Sequence, residues 1–265
     1  MKRSLIAIVL LMFASSSMTA QKETIKCPPK SKLTDITKCP DTGCGTVDPH
    51  LNEQKNIQSD DQTPAAMTLK DMKDQPDPVP DYKIGDTREK IKALGEGKKI
   101  TVVAYALVAR KGAKESCNCG LSKPQDTDNH IVLAEEETLA ITKRATPAKP
   151  ASGKKKAVPA KTAKQNTMEA REEESETAEF TPRVRLDHPN LAGAKLQALI
   201  AKAPKQALHV RVTGLLMFDS EHSLGRHLKR VNNWEIHPVM KMEYCPTDET
   251  CTADSNNWKD LEAED

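Results

Sequence analysis

The run "KKITVVAYALVARKG" (98–112) is the strongest constraint on the fold. It is β-branched and apolar over strand length. Its apolar residues do not alternate with polar ones, so both sides need cover and it reads as a central strand. Four other segments read as its partners. "HIVLAEE" (130–136) is the second strand and "EFTPRVRL" (179–186) the third. "ALHVRVTGLLMFDS" (207–220) is the fourth; its apolar phase slips after Gly214, which predicts a bulge or bend there. In the fifth, "VNNWEIHPVMKMEYC" (231–245), Trp234, Ile236, Met240, Met242 and Tyr244 share one phase and are expected in the core. Glu235, His237 and Lys241 take the other side. Between the third and fourth strands, "LAGAKLQALIAKA" carries a helical apolar stripe. Asn190 is its expected N-cap and Pro204 its stop.

Strand, strand, strand, helix, strand, strand is the plan of the OB-fold. The expected class is therefore mostly β: a five-stranded Greek-key barrel with a helix between strands 3 and 4. The barrel domain is placed at 86–245. It opens with a short helix, with Asp86 and Glu89 as a capping box and Gly95 as its end.

The whole chain cannot be core. Of its 265 residues, 37% are hydrophobic, 3% aromatic and 29% charged, so part of it is expected to be disordered. That part is an insert at 137–178: Lys/Ala/Pro-rich between Thr142 and Lys164, then Glu-rich. Residues 21–57 read as a cysteine-containing, loop-rich arm. Residues 58–85 read as a polar, proline-rich linker, and 246–265 as an acidic, mobile tail. The formal net charge of +2 gives no global pull toward nucleic acid.

"MKRSLIAIVLLMFASSSMTA" has a basic start, a short apolar run and a small-residue end, the pattern of a signal peptide over 1–20. The apolar run is too short to span a bilayer and no later segment can do so, so a secreted or periplasmic chain without an integral membrane span is expected. Export favours disulfides among the seven cysteines. Cys245 and Cys251 flank a short polar loop and are the best local pair. Two of Cys27, Cys39 and Cys44 are expected to pair. Cys117-Asn-Cys119 is too tight for an easy bridge, and the odd total leaves a thiol free or joined to another chain.

"NHIVLAEE", "VTGLLMFDSEH" and "NWEIHPVMKMEYC", with "CPDTGCGTVDPHLNEQKN" upstream, resemble segments of uncharacterised secreted bacterial proteins with an OB-like domain. The likeness covers about half the chain. It implies the fold and export but no activity.

OB-folds bind ligands on the face of strands two and three, between the loops joining strands 1–2 and 4–5. Those positions hold the candidate ligand residues: Asp128, His130, Asp219, His222, Arg226, Arg230, Glu235 and His237. His130, His222 and His237, with Asp128 or Asp219, have the donor chemistry for a divalent transition metal. The same histidines also read as strand-end and loop residues bonded to neighbours or water. No HExxH or comparable motif is present. The expected function is an exported binding or interaction module. An anionic envelope polymer or a small polar ligand suits the basic "RHLKR" loop. The alternative is a metal-dependent hydrolase with its His/Asp site at the barrel mouth. Single-stranded nucleic acid is disfavoured, because strands two and three offer only Phe180 for stacking.

Overall fold

The structure is a computed structural model that describes residues 23–78, 82, 86–151, 156–221 and 229–263. The expected signal peptide at 1–20 lies outside them. Five strands form a closed barrel: β1 (Lys99–Lys111), β2 (Asn129–Ala134), β3 (Glu176–Phe180), β4 (Leu208–Phe218) and β5 (Trp234–Tyr244). Around the ring the order is β1-β2-β3-β5-β4, and β4 pairs back to β1. The β3–β5 pair is parallel and the other four are antiparallel. The length of β1 is what closes the ring. Its residues 99–106 pair with β4 and 105–111 with β2, across a register shift between Ala106 and Val108.

Alternate residues of the strands fill the interior: Val102, Ile131, Ala178, Phe180, Val212, Phe218, Trp234 and Ile236 are fully buried or nearly so. Each large aliphatic or aromatic side chain so buried is stabilising by roughly 1.5–3 kcal/mol. Trp234 also donates its indole N–H to the Pro76 carbonyl at 3.0 Å.

The irregularity expected at Gly214 lies mostly across from it. β4 keeps one phase, with Leu208, Val210, Val212, Leu216 and Phe218 all in the core. The register instead slips between Thr213↔Lys241 and Gly214↔Val239, and again before Leu216↔Ile236, so the extra residues belong to β5. Met240 is thereby pushed out of the core and Val239 takes its place. Gly214 is needed because a Cβ there would lie 2.4 Å from the Pro238 carbonyl oxygen and 2.7 Å from Ile236 Cγ2.

Several segments read as loose are packed. The arm carries helix α1 (Pro49–Lys55), capped by the Asp48 carboxylate, which accepts from the Leu51 N–H at 3.2 Å. The expected linker contains Ala65–Ala66, paired parallel to Ile100–Thr101, and helix α2 (Leu69–Lys73), closed by a Thr68/Asp71 capping box with Leu69 and Met72 in the core. In the insert, Thr162 and Gln165 form a capping box for helix α3 (Ala163–Glu172), and β3 begins at Glu176, so the acidic half is ordered. Helix α4 (Gly193–Lys202) joins β3 to β4; Asn190 does not cap it, and the Gly193 N–H donates to Asn129 Oδ1 at 2.9 Å instead. The helix near Gly95 spans Glu89–Ala93 without a side-chain cap. In the tail, Trp258 and Leu261 are buried and Lys259–Asp260 pairs with β5.

Three disulfides are present: Cys27–Cys44, Cys39–Cys119 and Cys245–Cys251, leaving Cys117 as a buried free thiol. Cys39–Cys119, eighty residues apart, ties the arm to the β1–β2 loop. No helix among the described residues is long and apolar enough to cross a membrane.

Gly214→Ala is expected to cost about 1–3 kcal/mol through overpacking, read as a lowered urea midpoint. A wild-type midpoint contradicts the close β4–β5 approach.

Candidate metal centre

Successive side chains along a strand point to opposite faces of the sheet, and paired residues on neighbouring strands share a face. Ile131, Ala178 and Ile236 point into the barrel, so their neighbours His130, Glu179 and His237 point out. The register sets them in one row. His130 pairs with Glu179 across β2–β3, and the parallel pairs Thr177↔Glu235 and Ala178↔Ile236 carry Glu179 alongside His237. His130 Nε2 lies 3.4 Å from Glu179 Oε1, and His237 Nδ1 lies 3.3 Å from Glu179 Oε2.

The row is roofed by two other segments. The β1–β2 loop supplies Glu115, Cys117 and Asp128; Glu115 Oε1 is 3.6 Å from His130 Nε2. Helix α1 supplies Lys55, whose buried ammonium bonds Glu115 Oε2 at 3.0 Å. Asn118 donates to Asp128 Oδ2 at 2.8 Å, and Asn56 donates to the Cys117 carbonyl at 3.1 Å. The Cys39–Cys119 bond and Arg183, which donates to the Cys39 carbonyl at 2.8 Å, hold this roof down. Beside the row, Arg230 bonds Glu235 Oε2 at 2.8 Å and sits 3.4 Å from Asp219 Oδ2, a buried ion triad.

Three donor sets result, each with its ligand atoms within 4.8 Å of one another: Glu115/His130/Glu179, Glu115/Cys117/Asp128 and Asp128/Glu179/His237. His237 is 1% exposed, yet neither ring nitrogen makes a hydrogen bond. Glu179 Oε2, His130 Nε2 and Glu235 Oε1 are buried in the same condition. Leaving a buried polar atom unsatisfied costs about 1–3 kcal/mol, so this cluster calls for a partner such as ordered water or an ion.

Burial governs the ionisation. It pushes the Asp128 carboxyl up to about 7, helped by the neighbouring Glu115 charge, and raises Glu179 and Glu235. For Glu115, burial opposes the charge, but the Lys55 ammonium and His130 hold it well below the usual range. The Glu179 carboxylate lifts His130 to about 9. His237, desolvated and near the Lys55 charge, is pressed down to about 3 and is a neutral imidazole, the form that ligates metal. Burial, then the Glu115 charge, raises the Cys117 thiol.

Of the residues singled out from sequence, Asp128, His130 and His237 meet in this cluster. Asp219, Arg230 and Glu235 form the adjoining triad and pair with one another. His222 and Arg226 lie outside the described residues. Glu179 and Glu115 were not singled out. Glu179 carried a signal, an acidic residue out of phase with the apolar positions of its strand, whereas Lys55 carried none. Comparison with family models, curated proteins and solved structures finds no significant match.

Arg230→Met leaves Glu235 and Asp219 buried without their cation. It is expected to destabilise the protein by about 3–5 kcal/mol in chemical denaturation; a change below about 0.5 kcal/mol contradicts the burial of this triad.

Proposed function

We propose that the chain is an exported barrel of the OB type that acts as a binding module, and that its ligand is a divalent transition-metal ion. The OB assignment is supported by the five strands, the helix α4 between the third and fourth, and a polar cluster on the outer face of strands two and three under the loop joining strands one and two. Export is supported by the leader-like start and the three disulfides.

One observation carries the metal: His237, buried with both nitrogens unbonded, faces the buried carboxylates of Glu179 and Asp128. Neutral imidazole with carboxylates is a donor set for zinc and its first-row neighbours. Charge favours a cation as well: five acidic side chains, Glu115, Asp128, Glu179, Asp219 and Glu235, gather around Lys55 and Arg230.

The ion should bind the folded state alone. At one hundred times its dissociation constant it adds about 2.7 kcal/mol of stability. Melting of chelator-treated protein should therefore rise on adding zinc, and His237→Asn should abolish the rise. If wild type melts identically with and without zinc, cobalt or manganese, and the purified protein carries no metal by elemental analysis, the reading is wrong.

A second reading, metal-dependent hydrolysis, is favoured by the exposure of His130. Its side chain is 34% exposed and lines a cleft of about 400 Å³ bordered by Arg110, Thr177 and Lys229. This cleft would admit a small polar or anionic ligand. Metal-dependent turnover of a chromogenic ester or phosphodiester, absent in His130→Ala, would establish it. Metal binding without turnover leaves the binding module.

A further inference from the structure

We infer that the centre holds two divalent ions, bridged by Glu179. This deepens the metal reading and rests on it. The two oxygens of Glu179 face different imidazoles: Oε1 is 3.4 Å from His130 Nε2, and Oε2 is 3.3 Å from His237 Nδ1. Metal–nitrogen and metal–oxygen bonds are about 2.0–2.2 Å, so two adjacent donors on one ion lie roughly 3.0–3.5 Å apart. Each imidazole–carboxylate pair already has that spacing. It is the spacing of two ligands with an ion between them, and neither pair makes a well-aligned hydrogen bond through the atoms concerned on His130 Nε2, His237 Nδ1 and Glu179 Oε2.

One ion does not serve both pairs. Even donors on opposite sides of an ion are separated by at most about 4.4 Å, twice a bond length. Among the described residues, no set of donors within 4.8 Å contains both His130 and His237. The remaining donors divide the same way. Glu115 belongs with His130 and Glu179, and Asp128 belongs with His237 and Glu179. Glu179 is the residue these two sets share. Glu115 and Asp128 meet each other in the third set, with the Cys117 thiol. Carboxylate-bridged pairs of ions about 3.5–4 Å apart are a recurrent arrangement, and a second shell holds this one. Lys55 fixes the outer oxygen of Glu115 at 3.0 Å, and Asn118 fixes Asp128 at 2.8 Å. Cys117 would join as a thiolate, the form in which cysteine ligates metal.

The test uses the full disulfide-bonded chain, stripped with a chelator and reloaded with zinc or manganese. Elemental analysis after removal of free ion should give two equivalents of zinc. The manganese-loaded protein should show the electron paramagnetic resonance spectrum of an exchange-coupled pair. His130→Ala and His237→Ala should each retain one ion and lose the coupling. One equivalent in wild type, or a spectrum of isolated manganese at full loading, overturns the two-ion inference and leaves the single-ion reading standing. No bound metal overturns both. The wild-type stoichiometry decides even where a variant fails to fold.

Discussion

Desolvation of charge on the outer face of a barrel organises this molecule. His130, Glu179 and His237 point away from the apolar interior, where such residues ordinarily meet water. Here a roof made of the arm and the β1–β2 loop buries Glu179 and His237, while His130 stays partly open to a cleft. Ionised groups in that position need counter-charge or donors close by. The roof supplies both: Lys55 against Glu115, and Asn118 against Asp128. The arm is thus part of the site's electrostatics, and its attachment matters accordingly. The Cys39–Cys119 bond, the Arg183 contacts to the Cys39 and Pro40 carbonyls, and the bond from the Ile36 N–H to Asp126 Oδ1 all hold it at one place on the barrel.

The barrel contributes precision. Three adjacent strands with fixed register put an imidazole, a carboxylate and an imidazole on one line, on backbone that the core holds still. Sites built on strands are better defined than sites built on loops. The parallel β3–β5 pair is essential to the line, because it brings a segment from the end of the chain beside one from the middle. The close β4–β5 approach at Gly214 and the displaced residues of β5 shape the strand that carries His237. Packing inside the barrel and chemistry outside it are therefore two faces of the same residues' alternation.

Much of the barrel was legible in the sequence because apolar runs of strand length survive in β1, β2, β4 and β5, with alternation clearest in β5. His130 and His237 were legible as a pair only through the strand order, since their separation along the chain says nothing of their proximity. The linker, the insert and the tail were harder. Leu69, Met72, Trp258 and Leu261 are isolated apolar residues in polar segments, and single anchors do not register in a composition count. The slip in β5 was misplaced because Leu215 to Phe218 are all apolar and hide the phase of β4. Nothing in the sequence around Lys55 pointed to Glu115, because the disulfide and hydrogen bonds that dock the arm have a connectivity no spacing dictates.

The most direct measurement is a crystal structure of the zinc-soaked protein with data collected across the zinc absorption edge. The account predicts anomalous density within about 2.0–2.2 Å of His237 Nδ1 and a Glu179 oxygen, under the arm. Ordered water bonded to His237 and Glu179, with no anomalous peak between them, would contradict it.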